Sequence, residues 1–182
     1  LALASLFFYG YWDIEYVPLI LASILFNYLT GRWIVAASGS SLGKRKAILT
    51  FGIVANLALL GYYKYANFFL ENLGELTGQS YTLLQIILPL GISFFTFTQI
   101  AFLVDAYRGK VRETNFVSYV LFVTFFPHLI AGPILHHGEM MPQFDRLRNK
   151  VWNWSNAAKG LFIFCIGLFK KVVIADTFAI YA

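Results

Sequence analysis

The chain alternates long apolar runs with short charged interruptions. Residues 1–12 (LALASLFFYGYW) read as the tail of a membrane span, closed by Asp13 and Glu15. Residues 16–38 form the next run, about 23 residues, enough to cross a hydrocarbon core of about 30 Å. Arg32 near its end can snorkel to the interface. The segment SGSSLGKRK (38–46) reads as a basic loop, and residues 47–63 (AILTFGIVANLALLGYY) as a third span ended by Lys64. Residues 82–104 form an uncharged span of about 23 residues. Its Leu88-Pro89-Leu90-Gly91 predicts a kink, because proline removes a helix hydrogen bond. Residues 116–137 and 158–182 are the remaining candidates.

Charge then orients these runs. Lys44, Arg45 and Lys46 assign the second loop to the cytoplasm, since basic residues accumulate there. Glu71 and Glu75 then fall outside, and residues 82–104 return the chain to another basic loop with Arg108, Lys110 and Arg112. Residues 116–137 break the alternation, because Arg146, Arg148 and Lys150 make the following stretch basic as well. A hairpin that dips in and turns between Pro127 and Pro133 keeps both flanks on one side, and it is favoured over a full crossing. Non-helical backbone at that depth is tolerated only inside protein or along a polar cavity. Residues 139–156, with Phe144, Trp152 and Trp154 among the bases, fit a headgroup-level segment.

Composition agrees. Of 182 residues, 59% are apolar or aromatic and 13% are charged, against roughly 25% charged in a soluble domain. The net charge of +5 sits in loops between apolar runs, so the bilayer surface, and not nucleic acid, is its expected partner. The single Cys165 excludes an internal disulfide and any multi-cysteine metal site. The expected fold is an all-α, polytopic membrane bundle with a re-entrant or broken segment near 125–137. It is expected to be one partial domain over 1–182, a piece of a longer protein at both ends.

Catalytic motifs are sparse. There is no phosphate loop, no HExxH and no Gly-x-Ser-x-Gly elbow. His128 stands in the apolar run FFPHLIAGPILHHGEMMPQF (125–144), flanked by Pro127 and by Gly132-Pro133. Its plainest role is to hydrogen-bond a carbonyl freed by Pro127. His136 and His137 diverge by about 100° on a helix, a poor metal pair, and read as an interfacial polar end. Lys170, Lys171 and Asp176 are ionisable groups within an apolar run, where each costs at least about 2.5 kcal/mol. Asp176 lies five and six residues from the two lysines, not at the helical-neighbour spacing of three or four.

Four stretches, LGYYKYANFF (60–69), LPLGISFFTFTQIAFLVDAYRG (88–109), FFPHLIAGPILHHGEMMPQF (125–144) and GLFKKVVIADTFA (167–179), together resemble the membrane-bound O-acyltransferase family. The likeness is to its bacterial branch that O-acetylates alginate. This resemblance implies acyl transfer, in particular acetyl, from a cytoplasmic donor such as acetyl-CoA to hydroxyls of an exported polysaccharide. It implies no bound cofactor, periplasmic acetyltransferase partners and a bacterial inner-membrane location with several passes. Alternatives are D-alanyl transfer to teichoic acid, peptidoglycan O-acetylation, or a transporter, which also uses broken helices. The family's main catalytic histidine follows an aromatic-Asp-Phe-Ser-Gly-Tyr pattern not present in these residues, so this piece alone is expected to be inactive. Within it, His128 is the candidate base, since imidazole titrates near neutrality. Backbone freed at Pro127, Gly132 and Pro133 could meet a ligand. Lys64, Lys170 and Lys171 could attract donor phosphates from the cytoplasmic face, although Lys64 between tyrosines also reads as an interfacial anchor.

Overall fold

In the computed structural model, residues 1–39, 41–79, 81–111, 115–129, 132, 137–146 and 151–179 are described, without the side chains of His128 and Asp145. Among them every regular element is helical: α1 (Ala2–Trp12), α2 (Val17–Ala36), α3 (Leu42–Leu60), α4 (Ala66–Thr77), α5 (Ile92–Tyr107), α6 (Phe116–Thr124), α7 (Phe126–Leu129), α8 (His137–Asp145), α9 (Trp154–Phe169) and α10 (Asp176–Ala179). Two π turns, Gly61–Tyr65 and Lys170–Ala175, link α3 to α4 and α9 to α10. The chain divides into two compact units, Leu1–Pro142 and Gln143–Ala182.

The first unit is built on α2, α3 and α5. Asn27 meets Asn56, and a Cβ at Gly52 would lie 3.0 Å from Thr30, so α2 and α3 run antiparallel. Arg45 bonds the Tyr107 carbonyl, Gly52 faces Leu103, and Lys64 bonds Ser93, so α3 and α5 are antiparallel too. Gly31 takes the ring of Phe102 against its Cα, and Gly52 takes Leu103 with a Cβ clearance of 2.7 Å. Small residues at such crossings let helices approach closely where lipid gives no hydrophobic drive.

Two of the apolar runs form helices with bounds other than those of the runs themselves. Helix α3 does not end at Tyr63. Leu42–Thr77 is one continuous helix of 36 residues, about 54 Å long, stopped by Gly78 at φ +68. Its first turns contain Lys44, Arg45 and Lys46, so these are helical and not a loop. Nor is 82–104 one helix. The helix begins only at Ile92, and residues 81–89 carry no regular structure. Pro89 lacks an N–H and drives the residue before it out of the α region, and Gly91 is left-handed at φ +64. Side chains hold the unwound backbone instead. Asn67 donates to the Leu84 carbonyl at 2.8 Å and accepts from the Leu84 N–H at 2.9 Å. The Tyr16 hydroxyl donates to the Ile87 carbonyl at 2.7 Å.

The segment from 116 doubles back. Helix α6 starts beside α2 and α5, with Tyr119 stacked on Phe102 at 4.4 Å between centroids. Leu129 of α7 reaches Gly91, eleven residues before Phe102 on α5 and about 16 Å along its axis. By His137 the chain is back at Phe102, its imidazole 5.4 Å from that ring and 5.2 Å from Phe122 of α6. Between Leu129 and His137 the chain therefore returns to Phe102, where α6 and the start of α8 share one contact.

Candidate functional site

One sequence candidate, Lys64, reaches the start of α5, and the short helix that carries two others packs there through Leu129. Lys64, within the first π turn, donates to Ser93 Oγ at 3.3 Å and lies 5.5 Å above the Tyr65 ring. On another side, Gly91 lies against the backbone of α7, which contains Pro127 and His128. A Cβ at Gly91 would lie 2.8 Å from the Leu129 carbonyl oxygen. The unwound segment 81–91 and the turn that carries His128 thus meet at one place. π turns recur where a helix serves a ligand, because the extra residue re-aims side chains. Pro133, His136, and the side chain of His128 lie outside the described residues; Gly132 is half-buried.

The geometry separates Lys64 from the basic start of α3. It stands nineteen residues past Arg45 on the same helix, about 28 Å away, close to the depth of a bilayer core. Lys64 and the basic cluster Lys44–Lys46 therefore stand far apart along one helix.

Within the second unit, Lys171 Nζ bonds Asp176 Oδ2 at 2.6 Å. The α-helical spacing rule had left this pair apart. The π turn Lys170–Ala175 brings residues five apart onto one face.

Sequence reasoning missed two features. The first is a buried amide network: Asn27 and Asn56 donate to each other at 3.1 and 2.6 Å, Asn27 also bonds Gln99, and Ser23 donates to Gln99 at 3.1 Å. Each is a polar residue inside an apolar run, which is the signal that could have found it, because such groups act as interhelical glue. A cavity of about 250 Å³ opens beside this network between α2 and α3, lined in part by Ser23, Phe26, Ala55 and Asn56. The second is His137. The sequence placed it at an interfacial polar end, yet it is 6% exposed and feels the charge of buried Asp105. The start of α8 places it between two phenylalanines, Phe102 and Phe122. Among the described residues no group of three or more metal-ligating side chains occurs.

Residues 44–182 match the model of the MBOAT, membrane-bound O-acyltransferase, family. The chain belongs to that family. Over its whole length it is 45% identical to the peptidoglycan O-acetyltransferase of Helicobacter pylori, covering 39% of that protein. It is 38% identical, again over its whole length, to the probable alginate O-acetylase AlgI of Pseudomonas aeruginosa, covering 35% of it. Across 49% of the chain it is 24% identical to the teichoic acid D-alanyltransferase of Lacticaseibacillus rhamnosus, covering 22% of that protein. The chain therefore spans about two fifths of the length of the first of these relatives. No solved structure matches it. Proteins of the membrane-bound O-acyltransferase family reside in membranes, and Ile14–Gly39 and Leu42–Thr77 are each long and apolar enough to cross one.

Proposed function

We propose that the protein is a multi-pass O-acyltransferase of the bacterial inner membrane. It would move an acetyl group from a cytoplasmic donor such as acetyl-CoA to hydroxyls of an exported polysaccharide such as alginate. The observation that carries this reading is the family match over residues 44–182, with full-length coverage of the chain by O-acetyl-transferring relatives. The geometry supports it. The unwound segment 81–91 meets the end of the short helix α7 at Gly91 and Leu129, and in a membrane such backbone is stable only where protein or a polar path receives it.

In this reading the hairpin 116–137 dips from the cytoplasmic side, and His128 acts near its tip as a base or as a contact to the acceptor hydroxyl. Pro127, Gly132 and Pro133 contact the substrate or donor beside it. Lys64, in the π turn that follows α3, lies on the acceptor side, and the Lys170–Lys171 doublet supplies the donor contact. Periplasmic acetyltransferase partners complete delivery to the polymer. A peptidoglycan acceptor is the second reading, favoured by the 45% identity to a peptidoglycan O-acetyltransferase.

The test uses the full-length protein in its host. Loss of the gene should remove base-labile acetate from exported polysaccharide, or from peptidoglycan if the second reading holds. His128→Ala should lower that acetate while leaving the membrane level of the protein intact. Unchanged acetylation would leave His128 a structural residue.

A further inference from the structure

The doublet Lys170–Lys171 lies in an apolar stretch, preceded by Leu161–Phe169 and followed by Val172–Ala175. In a regular α-helix, residues five apart stand about 140° apart, so Asp176 would not face Lys171. Here the two are joined twice. The Asp176 N–H donates to the Lys171 carbonyl, the five-residue bond that defines the turn. The Asp176 carboxylate then accepts from Lys171 Nζ at 2.6 Å. The side-chain pair spans the same two residues as the main-chain bond and holds it closed. Among the described residues Lys170 has no such partner, and it stands one position round the same π turn from Lys171. An uncompensated ammonium in an apolar run calls for an anion.

We propose that the Lys171–Asp176 pair is a strap on the π turn, and that Lys170 alone of the doublet is the contact for a phosphate group. Asp176 is then a positioning residue, acting through Lys171 to fix the direction of Lys170. This rests on the acyltransferase reading, in which the phosphate belongs to the acyl donor. An anionic lipid headgroup offers the same chemistry.

Two experiments on the full-length protein, reconstituted in vesicles, separate these elements. First, thermal unfolding of Lys171→Asp, Asp176→Lys and the double swap reads the strap without any assay of transfer. Each single change should lower the midpoint, and the double swap should recover most of the loss. A double swap no better than the singles would overturn the strap. Second, donor-dependent acetyl transfer is measured in phosphatidylcholine with and without phosphatidylglycerol. Lys170→Ala should raise KM for the donor about tenfold, as for a lost charged contact, with kcat little changed in either lipid. Lys170→Arg should restore it. A loss confined to vesicles containing phosphatidylglycerol would assign the phosphate to lipid and overturn the donor contact. No change in either lipid would overturn phosphate binding altogether. If the wild type itself transfers no acetyl group, the function reading fails while the unfolding experiment still decides the strap.

Discussion

The two breaks in this membrane bundle differ in kind. At 81–91 the backbone unwinds and continues in the same direction into α5, its polar groups taken up by Asn67 and Tyr16. At 125–137 the chain reverses, with Leu129 at Gly91 and both arms at Phe102. Charge counting sees only the second. A reversal leaves basic residues on both flanks, whereas an unwound stretch that keeps its direction leaves the loop alternation intact. A proline-glycine pair in a long apolar run therefore marks a break whose extent depends on which distant side chains can replace the missing helix bonds.

Four substitutions probe this difference, read as changes in thermal stability of the full-length protein in detergent. Gly91→Ala should cost the most, about 2–4 kcal/mol, because it forces a left-handed β-carbon onto the Leu129 carbonyl. It touches both breaks at once, so a neutral result would separate them. His137→Ala should cost about 2–3 kcal/mol by opening a void between Phe102 and Phe122. Tolerance there would mean the return arm is not anchored. Asn67→Ala should cost about 1–2 kcal/mol, for two hydrogen bonds to Leu84. Tyr16→Phe should cost about 1 kcal/mol, for one bond to Ile87. If the last two were silent while His137→Ala was not, the unwound segment would need no clamp, and only the hairpin would be specified by side chains.

Much of this was legible in the sequence. The all-helical membrane class and the helix Val17–Ala36 follow from apolar run length, whereas the expected turn between Pro127 and Pro133 falls largely on residues outside the described ones. Less legible were the features that depend on partners far along the chain. Nothing local tells Tyr16 or Asn67 to cap an unwound segment 71 or 17 residues away. The π turns escaped for a different reason. An inserted residue leaves no mark in apolar periodicity, so a lysine and an aspartate five apart looked unpaired until the turn was seen. His137 was misjudged because two adjacent histidines at the end of an apolar run look solvated, and it is packing against Phe102 and Phe122 that buries this one.

The central claim is that residues 116–137 form a hairpin with both ends on one face of the membrane. The direct measurement is labelling by a membrane-impermeant thiol reagent in a full-length Cys165→Ser background, with single cysteines at Arg108 and Arg146. Both sites should be protected in intact cells and labelled once the inner membrane is opened. Labelling of one site alone in intact cells would make the segment a simple crossing and contradict the account.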